Sequence, residues 1–350
     1  MSSDNSQLTI LFTPLDGWGH INACHGLAEE LLRRGHRVVF AIDQGFAGKL
    51  SKHGFEEVLH SIPPDPTVDP NIDFWADFIV KHRRDLQRSS IEIIERVTSV
   101  ALGVMFDGVK AREDQYRDIV ATVRPDVIVI DSYVGCPPVT ESGVPWVLLF
   151  SAAPHMGLMN DEHPPAWSGL PLNGDQNEWQ TYQTRFNKAF DALHKNVDDW
   201  YKEVTGKSLA LKPGSVPHPL SPYLNICMTP KELDYEEVQP LGDNWHRVDG
   251  FVRTTDETFE IPECLRERSG KLILLSMGSF GCADIDLMIR LTTILAKSEH
   301  RFIVSKGPLH DKYSLPDNMW GQPFLPQTAI LPLVDLVLTH GGNNTVTETF

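Results

Sequence analysis

Short apolar, β-branched runs alternate with longer stretches of helical periodicity along this 350-residue chain. The runs are Leu8–Phe12, Arg37–Ile42, Val127–Ile130, Trp146–Phe150, Lys271–Ser276, Phe302–Ser305 and Asp335–Thr339. Their apolar residues are nearly continuous, which predicts strands covered on both faces and therefore parallel sheets of the α/β class. The first half supplies one such sheet, and the residues from Lys271 onward begin another. Between them Trp179, Tyr182, Phe186, Phe190, Leu193, Val197, Trp200 and Val204 recur at alternating spacings of three and four, the period of a long amphipathic helix. That stripe reads as core; the competing reading makes its aromatic end a wall of an apolar ligand pocket. The segments 160–175 and 212–222, rich in Pro and Gly, are loops.

The length favours two domains. The charged, aperiodic stretch Arg253–Pro262 marks the connection, so the expected division is a first domain over 1–252, a linker over 253–268 and a second domain from 269 to 350. With 31 basic and 47 acidic residues the formal charge is −16. Such a chain repels nucleic acid and anionic membrane surfaces, which leaves a small molecule as the expected partner. Cys24, Cys136, Cys227, Cys264 and Cys282 are scattered without a C-x-x-C pair, so neither a disulfide framework nor a cysteine zinc site is indicated. No apolar run approaches ~18 residues and no basic stretch leads into an apolar one at the start, so a cytoplasmic protein without membrane insertion is expected.

Three places carry candidate chemistry. The first apolar run leads through Thr13-Pro14-Leu15-Asp16-Gly17-Trp18-Gly19-His20 into a helix ending near Gly35. A strand-to-helix turn at the carboxyl edge of a parallel sheet is where open α/β folds place ligands, and Gly17 and Gly19 are expected to let the backbone turn tightly there. His20 is the candidate base; a helix-capping imidazole is the alternative. Asn22 stands where a dinucleotide fingerprint needs its third glycine, which argues against a dehydrogenase. Second, the run Val127–Ile130 delivers Asp131 to the same edge, where a carboxylate can fix the tautomer of His20 and stabilise its imidazolium. Alone, such an Asp is often a turn former.

Third, the small-residue loop Ser276-Met277-Gly278-Ser279 and the segment His340-Gly341-Gly342-Asn343-Asn344-Thr345 both follow predicted strands. Glycines there admit a diphosphate to backbone N–H groups, His340, Asn344 and Thr345 add donors, and Glu348 can accept from ribose hydroxyls. A capped helix after a Gly turn is the plainer alternative. Two decoys drop out. Val204-Thr205-Gly206-Lys207-Ser208 lacks the first glycine of a P-loop, since Tyr201 stands in its place. Asn343-Asn344-Thr345 fits a glycosylation sequon that a cytoplasmic chain would not display.

Taken in order, His20, Asp131, the Ser276–Ser279 loop, Phe324-Leu325-Pro326-Gln327 and Thr339-His340-Gly341-Gly342-x-Asn344-Thr345-x-x-Glu348 resemble the inverting UDP-glycosyltransferases of the GT-B fold, a family with plant, bacterial macrolide and animal detoxifying members. The resemblance implies two Rossmann-like domains, with His20 as catalytic base and Asp131 as the acid that orients it. It implies donor contacts at Gly19, Ser279, Phe324, Leu325, Gln327, His340, Gly342, Asn344, Thr345 and Glu348. Phe324 stands where the family usually stacks Trp on uracil, Leu325 would meet the base through its backbone, Gln327 and Glu348 match ribose contacts, and Ser279, His340, Asn344 and Thr345 match diphosphate contacts. The spacing from Phe324 to His340 is similar to the bacterial macrolide type.

The expected reaction is inverting transfer of glucose from UDP-glucose to a hydroxyl of a lipophilic small molecule, with detoxification of foreign compounds as a setting. UDP-sugar is the co-substrate, and neither a cofactor nor a metal is expected. Family members continue well past the glutamate, whereas this sequence stops at Phe350, so a donor domain represented by its first part and weak turnover of residues 1–350 are also expected. A non-catalytic nucleotide-sugar binder is the alternative function. An epimerase on the same fold is disfavoured because no suitable set of acids is present.

Overall fold

The computed structural model describes residues 6–62, 74–153, 156, 162–209, 211–213, 215–234, 240–248, 252–254 and 257–350, with the side chains of 74–76, 279 and 280 outside that description. Parts of the expected loops and linker, namely 160–161, 214 and 255–256, therefore lie outside the described residues. The chain divides into two compact units, one made of 1–63 with 85–251, the other of 64–84 with 252–350.

The first unit is built on a seven-stranded sheet in the order β3-β2-β1-β4-β5-β6-β7. Its strands are β1 (Thr9–Pro14), β2 (Arg37–Asp43), β3 (Glu56–His60), β4 (Val127–Asp131), β5 (Trp146–Phe150), β6 (Leu224–Cys227) and β7 (Trp245–Arg247). Every neighbouring pair is parallel. Successive residues of β1 feed opposite faces. Leu11 joins a core with Val39, Ile128 and Ile130, while Ile10 and Phe12 join another with Val38, Phe40 and Val129. Two covered faces explain why these strands lack polar alternation.

The long helix runs over Gln176–Thr205. Asp175 caps it by accepting from Asn177 N–H, and Gly206, in the left-handed region at φ 73°, ends it. Tyr182, Phe186, Phe190, Leu193, Val197 and Trp200 are all buried in the larger core and Trp179 is buried as well, so the stripe packs the domain. The Trp200 indole also donates to Glu113 Oε2 at 2.6 Å, tying this helix to Glu113–Val123.

The second unit carries a four-stranded parallel sheet in the order β10-β9-β8-β11, from β8 (Leu272–Ser276), β9 (Arg301–Ser305), β10 (Met319–Gln322) and β11 (Leu336–Thr339). Its two faces are covered by separate apolar clusters around Met288 and Phe302 and around Leu265 and Ile330. Leu265, within the stretch expected to connect the domains, is fully buried here on a short helix, Glu263–Arg266. No helix among the described residues is long and apolar enough to cross a membrane.

Two stability outcomes follow from the packing. Phe190 is almost fully buried and stacks on Phe186 at 4.6 Å, so Phe190→Ala should cost about 3–5 kcal/mol in urea unfolding. Burial pushes the His218 imidazole down to about 4. Its Nδ1 lies 2.6 Å from the Pro219 carbonyl, to which the neutral ring donates. Between that value and the ordinary 6.5 the unfolded chain binds the extra proton, so stability is complete above the window and falls as pH drops through it. Urea titrations at several pH values should show this slope in the parent chain and a shallower one in His218→Gln.

Candidate active site

The parallel register sets Pro14, the last residue of β1, beside Asp131, the last residue of β4. The Leu15 N–H donates to the Asp131 backbone carbonyl at 2.8 Å, which fastens the start of the following loop to that strand end. The helix Trp18–Arg33 begins three residues later with Gly17 as its N-cap, and His20 lies in its first turn. His20 Nδ1 comes within 3.0 Å of Asp131 Oδ2, with the two side chains 12 % and 3 % exposed. The approach lacks the alignment of a strong hydrogen bond. Loose pairing of this kind is common in catalytic dyads without substrate. Nδ1 is thus the ring nitrogen that faces the carboxylate, with Nε2 on the opposite side of the ring.

Gly17 and Gly19 do not perform the tight turn expected of them. Gly17 has φ −172°, extended backbone that any residue adopts, and Gly19 sits within the helix. A Cβ at either position would meet nothing within 4 Å. The loop is instead tied down by the Asp16 carboxylate, whose Oδ1 accepts from the Asp43 N–H at 2.9 Å.

Two further residues, Ser151 and Arg112, hold this region, and sequence reasoning missed them. Ser151 directly follows β5 and donates through Oγ to Asp131 Oδ1 at 3.0 Å, so each carboxylate oxygen has its own neighbour. Arg112, 5 % exposed, pairs with Asp16 and sits 2.9 Å from His60 Nδ1, while its Nε donates to the Gly108 carbonyl at 2.8 Å. Removing one member of such a buried pair typically costs about 3–5 kcal/mol, so Arg112 and Asp16 act as a fixed anchor for the His20 loop. For Ser151 the available signal was a polar residue just past the apolar run Trp146–Phe150; Arg112 offered none. Burial and the charge on Asp131 both raise the Cys24 thiol and the Tyr133 phenol, burial being the larger cause. The Tyr133 ring meets the His20 ring edge-on at 4.9 Å.

The second unit repeats the principle. Thr339 at the end of β11 registers with Ser276 at the end of β8, so the loops after both strands emerge side by side. The His340 ring fits between two glycines. A Cβ on Gly278 would lie 2.4 Å from its Cε1, and one on Gly342 would lie 2.5 Å from the same atom. Gly278 and Gly341 also take positive φ, 64° and 83°. Here the glycines are required, both by close approach and by backbone conformation. Packing lowers the His340 pKa, so the ring is neutral near pH 7 and donates from one nitrogen.

Gln327 organises the rest. Its Oε1 accepts from Ser276 Oγ at 2.9 Å, and its Nε2 donates to Glu348 Oε2 at 2.7 Å and toward Thr345 Oγ1 at 3.3 Å. Arg253 Nε donates to Glu348 Oε1 at 3.2 Å, a partner the sequence did not suggest. Gln327, Thr345 and Glu348 thus form one network, with Asn344 on the same short helix, Asn343–Thr349. Phe324 is 71 % exposed, and Leu325 next to it packs against the apolar cluster of Leu265 and Ile330. Ser279 lies on the short helix Gly278–Gly281, its side chain outside the described residues.

No family model matches the chain. It is 26 % identical over 364 aligned positions to the oleandomycin glycosyltransferase of Streptomyces antibioticus, covering 98 % of this chain and 72 % of that protein. It is 23 % identical to the demethyllactenocin mycarosyltransferase of Streptomyces fradiae, covering 97 % and 68 %. Among solved structures, the glycosyltransferase of kitacinnamycin superposes with a TM-score of 0.60 at 18 % identity, over 98 % of this chain and 78 % of that one. The calicheamicin glycosyltransferase CalG4 gives 0.58 at 20 % identity, over 98 % and 77 %. Matching architectures include one complexed with thymidine diphosphate and one with UDP-L-rhamnose. Two parallel-sheet units, the ordered strand-end loops and these relatives lead to one conclusion: the chain is a glycosyltransferase of the GT-B fold, related to the macrolide-type UDP-glycosyltransferases of bacteria.

Proposed function

We propose that this enzyme transfers a hexosyl group, glucose, from a UDP-sugar to a hydroxyl of a lipophilic natural product, with inversion at the anomeric carbon. The observation that carries the reading is His20 Nδ1 set 3.0 Å from an Asp131 carboxylate that Ser151 holds in place. In this mechanism Nε2 of neutral His20 takes the acceptor's hydroxyl proton as the oxygen forms its bond to the anomeric carbon. The bond from that carbon to the diphosphate oxygen breaks, and UDP leaves with the electron pair. Asp131 stabilises the imidazolium and so lowers the barrier only when the charge appears.

The donor side of the proposal uses the second unit's network. His340, held by Gly278 and Gly342, donates to the diphosphate with Asn344 and the backbone N–H groups of the Gly-rich loop, while Ser279 belongs to the same diphosphate set. The exposed Phe324 ring offers a face for the nucleobase, with Leu325 meeting it through its backbone. Glu348 already accepts from Arg253 and Gln327, yet a carboxylate has capacity for further bonds, and its role is to receive the ribose hydroxyls beside Gln327. Stabilisation of the leaving group is assigned to these donors and not to a metal. The macrolide-modifying names of the relatives support a large apolar acceptor, and the cytoplasm is the proposed location.

His20→Ala should abolish transfer to a macrolide acceptor while leaving UDP affinity within about twofold by calorimetry; retained turnover would remove the base assignment. Gly342→Ala drives a methyl group into the His340 ring and should weaken UDP binding at least about tenfold, a factor near 1.4 kcal/mol. Titrating UDP against thymidine diphosphate tests the nucleobase, with tighter thymidine diphosphate binding contradicting the uridine assignment. If UDP binds but no acceptor tested is glycosylated, the non-catalytic binder becomes the better reading.

A further inference from the structure

On the helix that carries His20, one side chain set has no part in the reaction described above. His25 and Glu29 are four residues apart on one face of Trp18–Arg33, with His25 Nε2 3.1 Å from Glu29 Oε1. His53, at the end of the short helix Ser51–His53, lays its ring edge-on to His25 with centroids 4.5 Å apart. Phe55 packs against both imidazoles, at 5.2 Å and 6.5 Å. One ligand atom from each of His25, Glu29 and His53 lies within 4.8 Å of the other two.

We propose that His25, Glu29 and His53 form a binding site for a transition-metal dication of the zinc class, separate from catalysis. Two imidazoles and one carboxylate suit zinc, copper or nickel and disfavour magnesium and calcium, which take oxygen ligands. With metal bonds of about 2.1 Å, tetrahedral ligand atoms stand about 3.4 Å apart; the His25–Glu29 pair, at 3.1 Å, is near that spacing, and His53 lies within 4.8 Å of both. Water completes the fourth position. On the same helix Arg33 and Arg34 pair with the neighbouring Glu30, at 2.7 Å each.

A second group with suitable atoms, Asp16, Asp43 and His60, contrasts with this one. There the Arg112 guanidinium contacts Asp16 and His60 and lies 4.0 Å from Asp43, so a cation already occupies the cluster. The His25 set differs from it in its donors, two imidazoles and one carboxylate. Its three ligands come from two chain segments, the helix bearing His20 and the segment leading into β3. A bound ion therefore cross-links them and stiffens the helix whose first turn presents the base.

The test is calorimetry of the intact chain with zinc chloride after chelator treatment, paired with cobalt absorption spectra and thermal melts. One saturable equivalent, a rise in melting temperature on adding zinc, and at least tenfold weaker binding in both His53→Ala and Glu29→Gln are expected. Asp43→Asn should bind as the parent does. His53 and Glu29 are partly exposed, so these variants avoid the folding risk of replacing the buried His25. Absence of saturable binding, binding that survives both substitutions, or loss of binding in Asp43→Asn would each overturn the assignment.

Discussion

A parallel sheet covered on both faces sends the carboxyl ends of all its strands to one edge, and the chemistry of this protein depends on that constraint. In the first unit it brings the chain after β1 to the end of β4, so that His20 and Asp131, more than one hundred positions apart in sequence, come within ion-pair distance. In the second it brings the loops after β8 and β11 together, and His340 closes against Gly278. One rule, used twice, produces both halves of the candidate machinery.

The supports around each half differ in kind. The His20 loop is held by ionic and polar contacts: Asp16 on Arg112, Asp131 on Ser151, and the Leu15 amide on the Asp131 carbonyl. Arg112, Asp131 and Ser151 are buried and Asp16 is half-buried, so each relies on its partner to avoid an uncompensated polar atom in a low-dielectric setting. The His340 loop is held by the absence of side chains, since two glycines leave room for one imidazole ring. A Gln327 amide then links Ser276, Thr345 and Glu348 across three segments. Polar pairing fixes the His20 loop; steric room fixes the His340 loop.

The catalytic assignments rest on geometry that a sugar transferase can use, while the surrounding core is ordinary. The long helix Gln176–Thr205 shows this most directly. Its aromatic stripe is buried along its length, and its contribution to function is to support the sheet that positions Asp131.

Hydrophobic patterning alone determined seven strands, the parallel α/β class and the long helix, because a strand buried on both faces cannot hide its apolar run and a three-four stripe cannot be a strand. β3, β6, β7 and β10 escaped it. β3 and β7 are edge strands, β10 is an edge strand of four residues, and Glu56 and Glu57 interrupt the apolar signal of β3. Motif spacing also brought out His20, Asp131 and the His340–Glu348 segment. Which glycines mattered was not legible, since the need for Gly278 and Gly342 arises from a ring approaching through space, while Gly17 and Gly19 face open room. Ser151, Arg112 and Arg253 likewise emerged only in the folded chain. A hydrogen bond between residues twenty or ninety-five positions apart leaves no period in the sequence; only the register of the strands and the packing of the helices bring such partners into contact.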